Sequence, residues 1–441
     1  MERSRTSGRR NYRHWLAASM REYLPTDAFC CLADWFGLRW VGQLVAYVAI
    51  LMSWDEGVTL GQRFAHARQA VRGMFPSRRA VGRTYQGLIA VLVSAAGWLL
   101  LAVVEAHLRR AVQRIAGPFW RREGLLAFAV DGSRIECPRT KANEAAFGRA
   151  GKKGCGPQMW LTTLWHMGTG LPWAWKQGPS DASERGHLRE LLGLLPACAV
   201  VVGDAGFVGY ELLRDILASG RSFLVRVGGN VSLLRELGWA ERQGPETVYL
   251  WPQNRRGCEP LVLRLIQLVR DGKAVYLLTN LSVESLSARQ AGILYRMRWG
   301  VEVFYRSLKQ TLEHRTMRSA APRQARVELA WSMVGLQLMG LFSVAEMIDR
   351  GVDPLRWSVA ATRDLVRSAM AGADKRRVGW AGWRTRLAGC LKDGYARTAG
   401  KKSRDWPDRK HERPPGPPKI RNASAQEVLQ AQELRTRLHA A

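Results

Sequence analysis

The spacing of apolar residues changes along this chain, and each change marks a region. Up to about residue 117 apolar positions recur at helical intervals among arginines, which predicts helices near 41–52 and 87–115, closed by Gly117-Pro118. From Leu125 the pattern becomes short unbroken apolar runs that end on acids. Leu-Leu-Ala-Phe-Ala-Val runs into Asp131-Gly132-Ser133, and Ala199 to Val202 runs through Gly203 into Asp204. Each reads as a short buried strand with an acid at its end. Met159 to Trp175 reads as two strands joined at Gly168-Thr169-Gly170. Gly178-Pro179 then turns the chain, and Asp181 with Glu184 makes a capping-box arrangement for a helix to about Leu195. A helix over 209–218 and a strand from Phe223 to Val227 follow. Strands alternating with helices predict an α/β sheet domain.

Between 230 and 282 the pattern is strand-like throughout: Thr247 to Leu250, Leu261 to Leu268 and Ala274 to Asn280, with turns at Arg255-Arg256-Gly257 and Asp271-Gly272. After Lys309 the chain is helical again, broken at Asp353-Pro354, and becomes Trp-rich and basic from 356 to 395. Gly400 to Asn422 is basic and proline-rich, which predicts an extended arm, and Ser424 can cap a short last helix.

The segment from Tyr295 to Lys309, YRMRWGVEVFYRSLK, has helical spacing. On a straight α-helix Tyr295, Arg298, Glu302 and Lys309 fall within an arc of about 60°, a stripe about 21 Å long. Leu294, Met297, Val301, Phe304 and Leu308 take the other faces and supply a packing surface. A solvated, salt-bridged helix face is the plain reading of such a stripe.

Charge changes the picture. Lys and Arg total 67 against 37 Asp and Glu, a net charge of +30. A fold does not need that excess, whereas a polyanionic partner does. The basic residues are spread along the chain rather than clustered beside a lipid anchor, and most are Arg, whose fork grips phosphate bidentately. The N-terminal arginines Arg63, Arg68, Arg72, Arg78, Arg79 and Arg83 suit recognition of a DNA end or form a solvated basic surface. Seven Cys, at 30, 31, 137, 155, 198, 258 and 390, form no CxxC pair, so neither a disulfide frame nor a zinc cluster is expected. No apolar run directly follows the basic N-terminus, so no signal peptide is expected. Gly87 to Val104 is eighteen residues without a charge, at the edge of what spans a bilayer. It reads as a buried helix, with a membrane span as the competing reading. Val327 to Ile348, interrupted by Glu328, Gln337 and Glu346, reads as a core helix.

Tyr, two residues, Arg, three residues, Glu, six residues, Lys resembles the signature of the DDE transposases of the insertion-sequence-four family, without departure at Tyr295, Arg298, Glu302 and Lys309. The DGS at Asp131 and the GDAGF at Asp204 match family patterns too, so the resemblance runs from about 125 to 318. It implies a ribonuclease-H-like catalytic core over 118–318. The 98 positions between Asp204 and Glu302, against 73 between Asp131 and Asp204, then accommodate a β insertion at 230–282; extension of the main sheet is the alternative. Flanking this core are a helical N-terminal DNA-end-binding region (1–117), a helical C-terminal region (319–399), and a basic arm with a short terminal helix (400–441).

Cutting and rejoining phosphodiesters needs an activated oxygen on one side and a stabilised leaving oxygen on the other, a task suited to two divalent ions about 3.5–4 Å apart. Mg²⁺ wants oxygen ligands, and Asp131, Asp204 and Glu302 supply them, with Mn²⁺ as a substitute. Each Asp alone could equally cap a loop after a strand. Arg298, Lys309 and Tyr295 can hold backbone phosphate. In related hairpin-forming members a Trp at the position of Trp299 stacks on a base turned out of the DNA; a buried-core Trp is the competing reading. His166, His187 and His314 show no ligand spacing. The resemblance implies a cytoplasmic cut-and-paste transposase that binds double-stranded DNA ends and target as a homodimer and cuts through a hairpin. A catalytically silent DNA-binding descendant is the alternative, and cleavage separates the two.

Overall fold

The computed structural model describes residues 10–32, 39–76, 82–149, 156–240, 244–270, 273–372, 377–394 and 416–440. Arg78, Arg79, Cys155, the Asp271-Gly272 turn, residues 395–399 and most of the arm, 400–415, lie outside the described residues. Helices α1 (Tyr12–Tyr23), α2 (Arg39–Trp54), α3 (Leu60–Met74), α4 (Tyr85–Leu92) and α5 (Ala95–Ala116) precede strand β1 (Ala127–Glu136). Then come α6 (Lys141–Phe147), β2 (Gln158–His166), β3 (Leu171–Gly178), α7 (Glu184–Leu192), β4 (Val200–Gly203), α8 (Tyr210–Ala218) and β5 (Ser222–Val227). Strands β6 (Ser232–Arg235), β7 (Thr247–Leu250), β8 (Leu261–Arg270) and β9 (Lys273–Thr279) lead to α9 (Ala288–Met297) and α10 (Trp299–Arg306). The chain ends with α11 (Pro322–Ile348), α12 (Val359–Ala371), α13 (Trp380–Ala388), β10 (Lys419–Asn422) and α14 (Ala425–Ala440). The strands are ordered β10-β6-β7-β8-β9-β5-β4-β1-β2-β3 in a mixed sheet, so the class is α/β.

The chain divides into two units. The first comprises Met1–Arg121, Asp131–Ser183 and Gly300–Lys392, and the second Arg122–Val130, Glu184–Trp299 and Asp393–Ala441. Strand β1 contributes to both, with Asp131 the first residue on the far side of the division.

The first unit is built on α11. This helix is apolar on every side because it is surrounded, with 94% of its most apolar window buried. At roughly 1.5–3 kcal/mol for each fully buried Leu, Val or Met, its burial contributes strongly to the unit's stability. Gly335 lets α2 cross closely: a Cβ there would come within 2.0 Å of Ser53 Oγ, and the Gly335 carbonyl accepts from Trp54 Nε1 at 2.9 Å. Pro322 starts the helix, and Glu328 turns back to accept from the Arg318 and Ser319 amides. The apolar stretch 87–104 is not one helix. It breaks at Val93-Ser94, where Ser94 Oγ accepts from Gly97 N and starts α5, bent by 73° from α4. Gly97 permits the bend, since a Cβ would lie 2.3 Å from the Val91 carbonyl. Strands β2 and β3 form the expected antiparallel hairpin, turned by Gly170 at φ +74°.

In the second unit β1, β4 and β5 run parallel, β9 pairs antiparallel with β5, and β8, β7 and β6 follow antiparallel. The strands of 232–279 thus join the sheet edgewise through β9. Helix α7 starts at Glu184, later than expected, and ends at Leu192, so Asp181 stands in a turn ahead of it and is not its cap. Strand β10 adds in parallel beside β6, and α14, capped by Ser424, lays Ala431 and Leu434 on Leu234, Leu237, Tyr249 and Trp251.

Candidate active site

Parallel pairing of β1 with β4 ends at Ala129↔Val202. Asp131 and Asp204 each come two residues beyond that last pair, because the register offset of 73 residues equals the spacing of the two acids. The supports around them differ. Strand β4 is fully buried and stops at Gly203, and Asp204 caps the 3₁₀ turn Ala205–Phe207, its Oδ1 accepting from Gly206 N at 2.8 Å. The two glycines of this motif have steric reasons. A Cβ on Gly203 would press on the buried Phe207 side chain, 3.1 Å from its Cβ and 3.2 Å from the ring, and one on Gly206 would lie 3.0 Å from Asp204 Oδ1. Arg185 Nε donates to the Gly206 carbonyl at 2.7 Å and steadies the turn from α7.

Asp131 is not at a strand end. Strand β1 runs on to Glu136, so the acid sits mid-strand, half-buried, in the first unit. Its carbonyl lies 2.8 Å from the Tyr305 hydroxyl, which is also 3.0 Å from the Leu161 carbonyl. Two residues on, Ser133 Oγ accepts from Lys309 Nζ at 2.7 Å. Burial holds the Lys309 ammonium below the usual lysine range, and the Glu136 and Asp131 carboxylates oppose that shift. Sequence reasoning missed Tyr305 and Ser133. Their signals were slight: a Tyr one helical turn after Glu302, and the last letter of DGS.

The segment from Tyr295 to Lys309 is helical as expected, but it is not one regular α-helix. Helix α9 ends at Met297, with the Arg298 amide closing the last turn on the Leu294 carbonyl at 3.1 Å. Helix α10 begins at Trp299, and from Ser307 to Thr311 the turns widen to π geometry. Arg298 keeps helical dihedrals at φ −50° and ψ −34°, so the departure from a constant advance per residue falls at the wide turn that carries Lys309. Tyr295 and Arg298 belong to the second unit, where the guanidinium sits 5.7 Å over the Tyr295 ring. Glu302 and Lys309 belong to the first, with Glu302 half-buried in the first turn of α10, where the helix dipole favours an acid. Gly300 lets α10 lie against the hairpin: a Cβ would be 2.2 Å from the Trp165 ring. Trp299 is 55% exposed, so it is not a core tryptophan.

Among the described residues no three His, Cys, Asp or Glu side chains stand together as a metal-ligand group. Asp131 and Glu302 lie in one unit and Asp204 in the other. All three donors are carboxylates, the chemistry that suits a hard divalent cation. The histidines have other places. His166 bonds Thr169 in the hairpin turn, and His187 is buried on α7. His314 is fully buried with Nε2 2.9 Å from the Ser53 carbonyl, and burial pushes its pKa down to about 3.

Residues 122–336 match a family model described as a transposase DDE domain. Over 242 residues the chain is 28% identical to "Transposase InsG for insertion sequence element IS4" of Escherichia coli (strain K12), covering 50% of this chain and 54% of that protein. The chain thus spans about half the length of this curated relative. Among solved structures, a cryo-EM structure of the piggyBac transposase synaptic complex with hairpin DNA is 13% identical with a TM-score of 0.37, covering 86% of this chain and 88% of that one; so slight a likeness carries nothing further. The family model and the Escherichia coli relative agree with the Tyr-Arg-Glu-Lys, DGS and GDAGF motifs, and together they support a transposase DDE domain of the insertion-sequence-four type over residues 122–336.

Proposed function

We propose that the chain is a DNA transposase that cuts phosphodiester bonds at the inverted-repeat ends of its element and joins those ends to target DNA. One observation carries the reading: Asp131 and Asp204 each come two residues after Ala129 and Val202, the last paired residues of the parallel strands β1 and β4. The order β3-β2-β1-β4-β5, with one acid in β1 and one after β4, supports a ribonuclease-H-like core. Asp131, Asp204 and Glu302 would hold two divalent cations, Mg²⁺ or Mn²⁺, which supply Lewis-acid stabilisation of the attacking and leaving oxygens when bound. Lys309, kept beside Asp131 by Ser133, neutralises charge on a backbone phosphate brought to the acids. Arg298 and Tyr295 present a guanidinium and a hydroxyl for a further phosphate contact. The exposed Trp299 ring offers a stacking platform for an unpaired base, worth about 1–3 kcal/mol, as a hairpin route requires. The working form is a homodimer on two DNA ends, acting in the cytoplasm on chromosomal DNA.

The test is incubation with DNA carrying the element's own ends, with and without Mg²⁺. Asp131→Asn, Asp204→Asn and Glu302→Gln are each expected to lower cleavage by at least about 10²–10³-fold while end binding persists. A variant that still cleaves removes its residue from the site. A wild-type chain that binds ends but never cuts them is a silent DNA-binding protein instead.

A further inference from the structure

A cleft of about 1070 Å³ opens in the second unit beside the turn that follows Asp204. Val208, Gly209 and Tyr210 line it, with Arg185, which donates to the Gly206 carbonyl. The C-terminal segment lines it too, with Arg421 before α14 and Gln426 and Gln430 on that helix. Arg256 completes the basic lining, its guanidinium 4.2 Å over the Trp251 ring. Guanidinium groups from three separate stretches of chain therefore face one groove.

Glu427 is the single acid among the lining residues described, and it is already engaged. Its carboxylate accepts from both Arg421 Nη atoms at 2.6 and 2.8 Å, from the Ser424 amide at 2.9 Å, and from Arg256 Nη2. Three cations against one carboxylate leave the groove at +2, and its remaining polar side chains are mostly amides and hydroxyls. Amides and hydroxyls both donate and accept, so the excess of guanidinium charge is what selects the ligand. A peptide backbone is uncharged and does not answer that excess. A phosphodiester backbone presents acceptors and regularly spaced negative charge, which guanidinium forks match.

We propose that this cleft holds the backbone of a nucleic-acid strand as it passes the Asp204 turn. The proposal goes beyond the catalytic reading, and its measurement needs no cleavage, so either can fail alone.

Gln426 and Gln430 permit a test that leaves the Arg–Glu427 clamp untouched. Full-length Gln430→Glu, Gln426→Glu and the control Gln432→Glu, which is exposed on the same helix but outside the cleft, are compared for binding a short labelled DNA duplex across a salt series. Each cleft substitution is expected to weaken binding about fivefold, the value of one charge at contact distance in a water-like dielectric. Each should also lower the salt slope by about one, while Gln432→Glu stays near wild type. Gln430→Lys should tighten binding, which a folding defect cannot do. Wild-type affinity in both cleft variants, or equal weakening by Gln432→Glu, overturns the proposal. So does poly-glutamate binding with the same dependence on position 430, which would make the cleft a site for acidic protein.

Discussion

Asp131 and Asp204 contrast in what holds them. The Asp204 turn is nearly self-sufficient: five consecutive residues, Gly203 to Phe207, supply the cap, the clearance and the buried anchor, with Arg185 as an outside brace. Asp131 instead depends on residues more than 170 positions away, through the Tyr305 hydroxyl on its carbonyl and the Lys309–Ser133 bond. The first acid is placed by tertiary packing and the second by local chain geometry. Disturbing the core of the first unit should therefore move Asp131 while leaving the Asp204 turn intact.

The largest expected break in this comparison comes from acid. The His314 amide closes on the Leu308 carbonyl, beneath the π turn that carries Lys309, and its ring is neutral in the folded chain with a pKa pushed down to about 3. The unfolded chain takes up that proton near pH 6.5, so the unfolded state binds more protons below it. Stability is fully present above about pH 6.5 and falls as pH drops toward 3, by at most roughly 5 kcal/mol. Urea midpoints measured from pH 7 to 4.5 should decline, and His314→Gln should flatten the decline; a flat wild-type profile removes His314 from the account. The Glu427 clamp of the second unit, held down to about 2 by its bond with Arg421, weakens only below about pH 4.5.

A smaller effect separates two glycines. Gly300→Ala puts a methyl into the rigid Trp165 ring and should cost about 1–3 kcal/mol of stability. Gly206→Ala presses on the Asp204 carboxylate at 3.0 Å, with Glu184 Oε2 at an ordinary 3.8 Å, and should cost less stability while lowering cleavage more. Thermal melting and end-cleavage rates on the pair decide it, and equal losses in both assays would erase the contrast. Smallest is Tyr305→Phe. Losing one hydrogen bond should cost about 1 kcal/mol in urea unfolding. Cleavage should fall further than that stability loss explains, and a proportionate fall would make Tyr305 simply part of the core.

What could be read from the sequence follows the same division. The GDAGF turn, the β2–β3 hairpin, the strands of 247–279 and the Ser424 cap depend on near neighbours, and local pattern was sufficient for them. The end of β1 was misjudged because Gly132 and Ser133 look like a turn, yet they lie within a strand that runs on to Glu136. A constant advance of about 100° per residue does not hold through Lys309, because the wide turn at Ser307–Thr311 has no signature in apolar spacing. In contrast, the break at Ser94 was legible in principle, since a serine three residues before a glycine amide can start a helix.

Strand β10 has a consequence for synthesis. Its partner β6 leaves the ribosome about 180 residues earlier, a delay of roughly 10–40 s at ordinary elongation rates. Throughout that interval β6 is the uncovered margin of a nascent sheet, able to pair with the wrong chain. Crowded polysomes and slow codons before Lys419 thus become hazards, and a holdase that shields the margin until translation finishes would raise the yield of native protein.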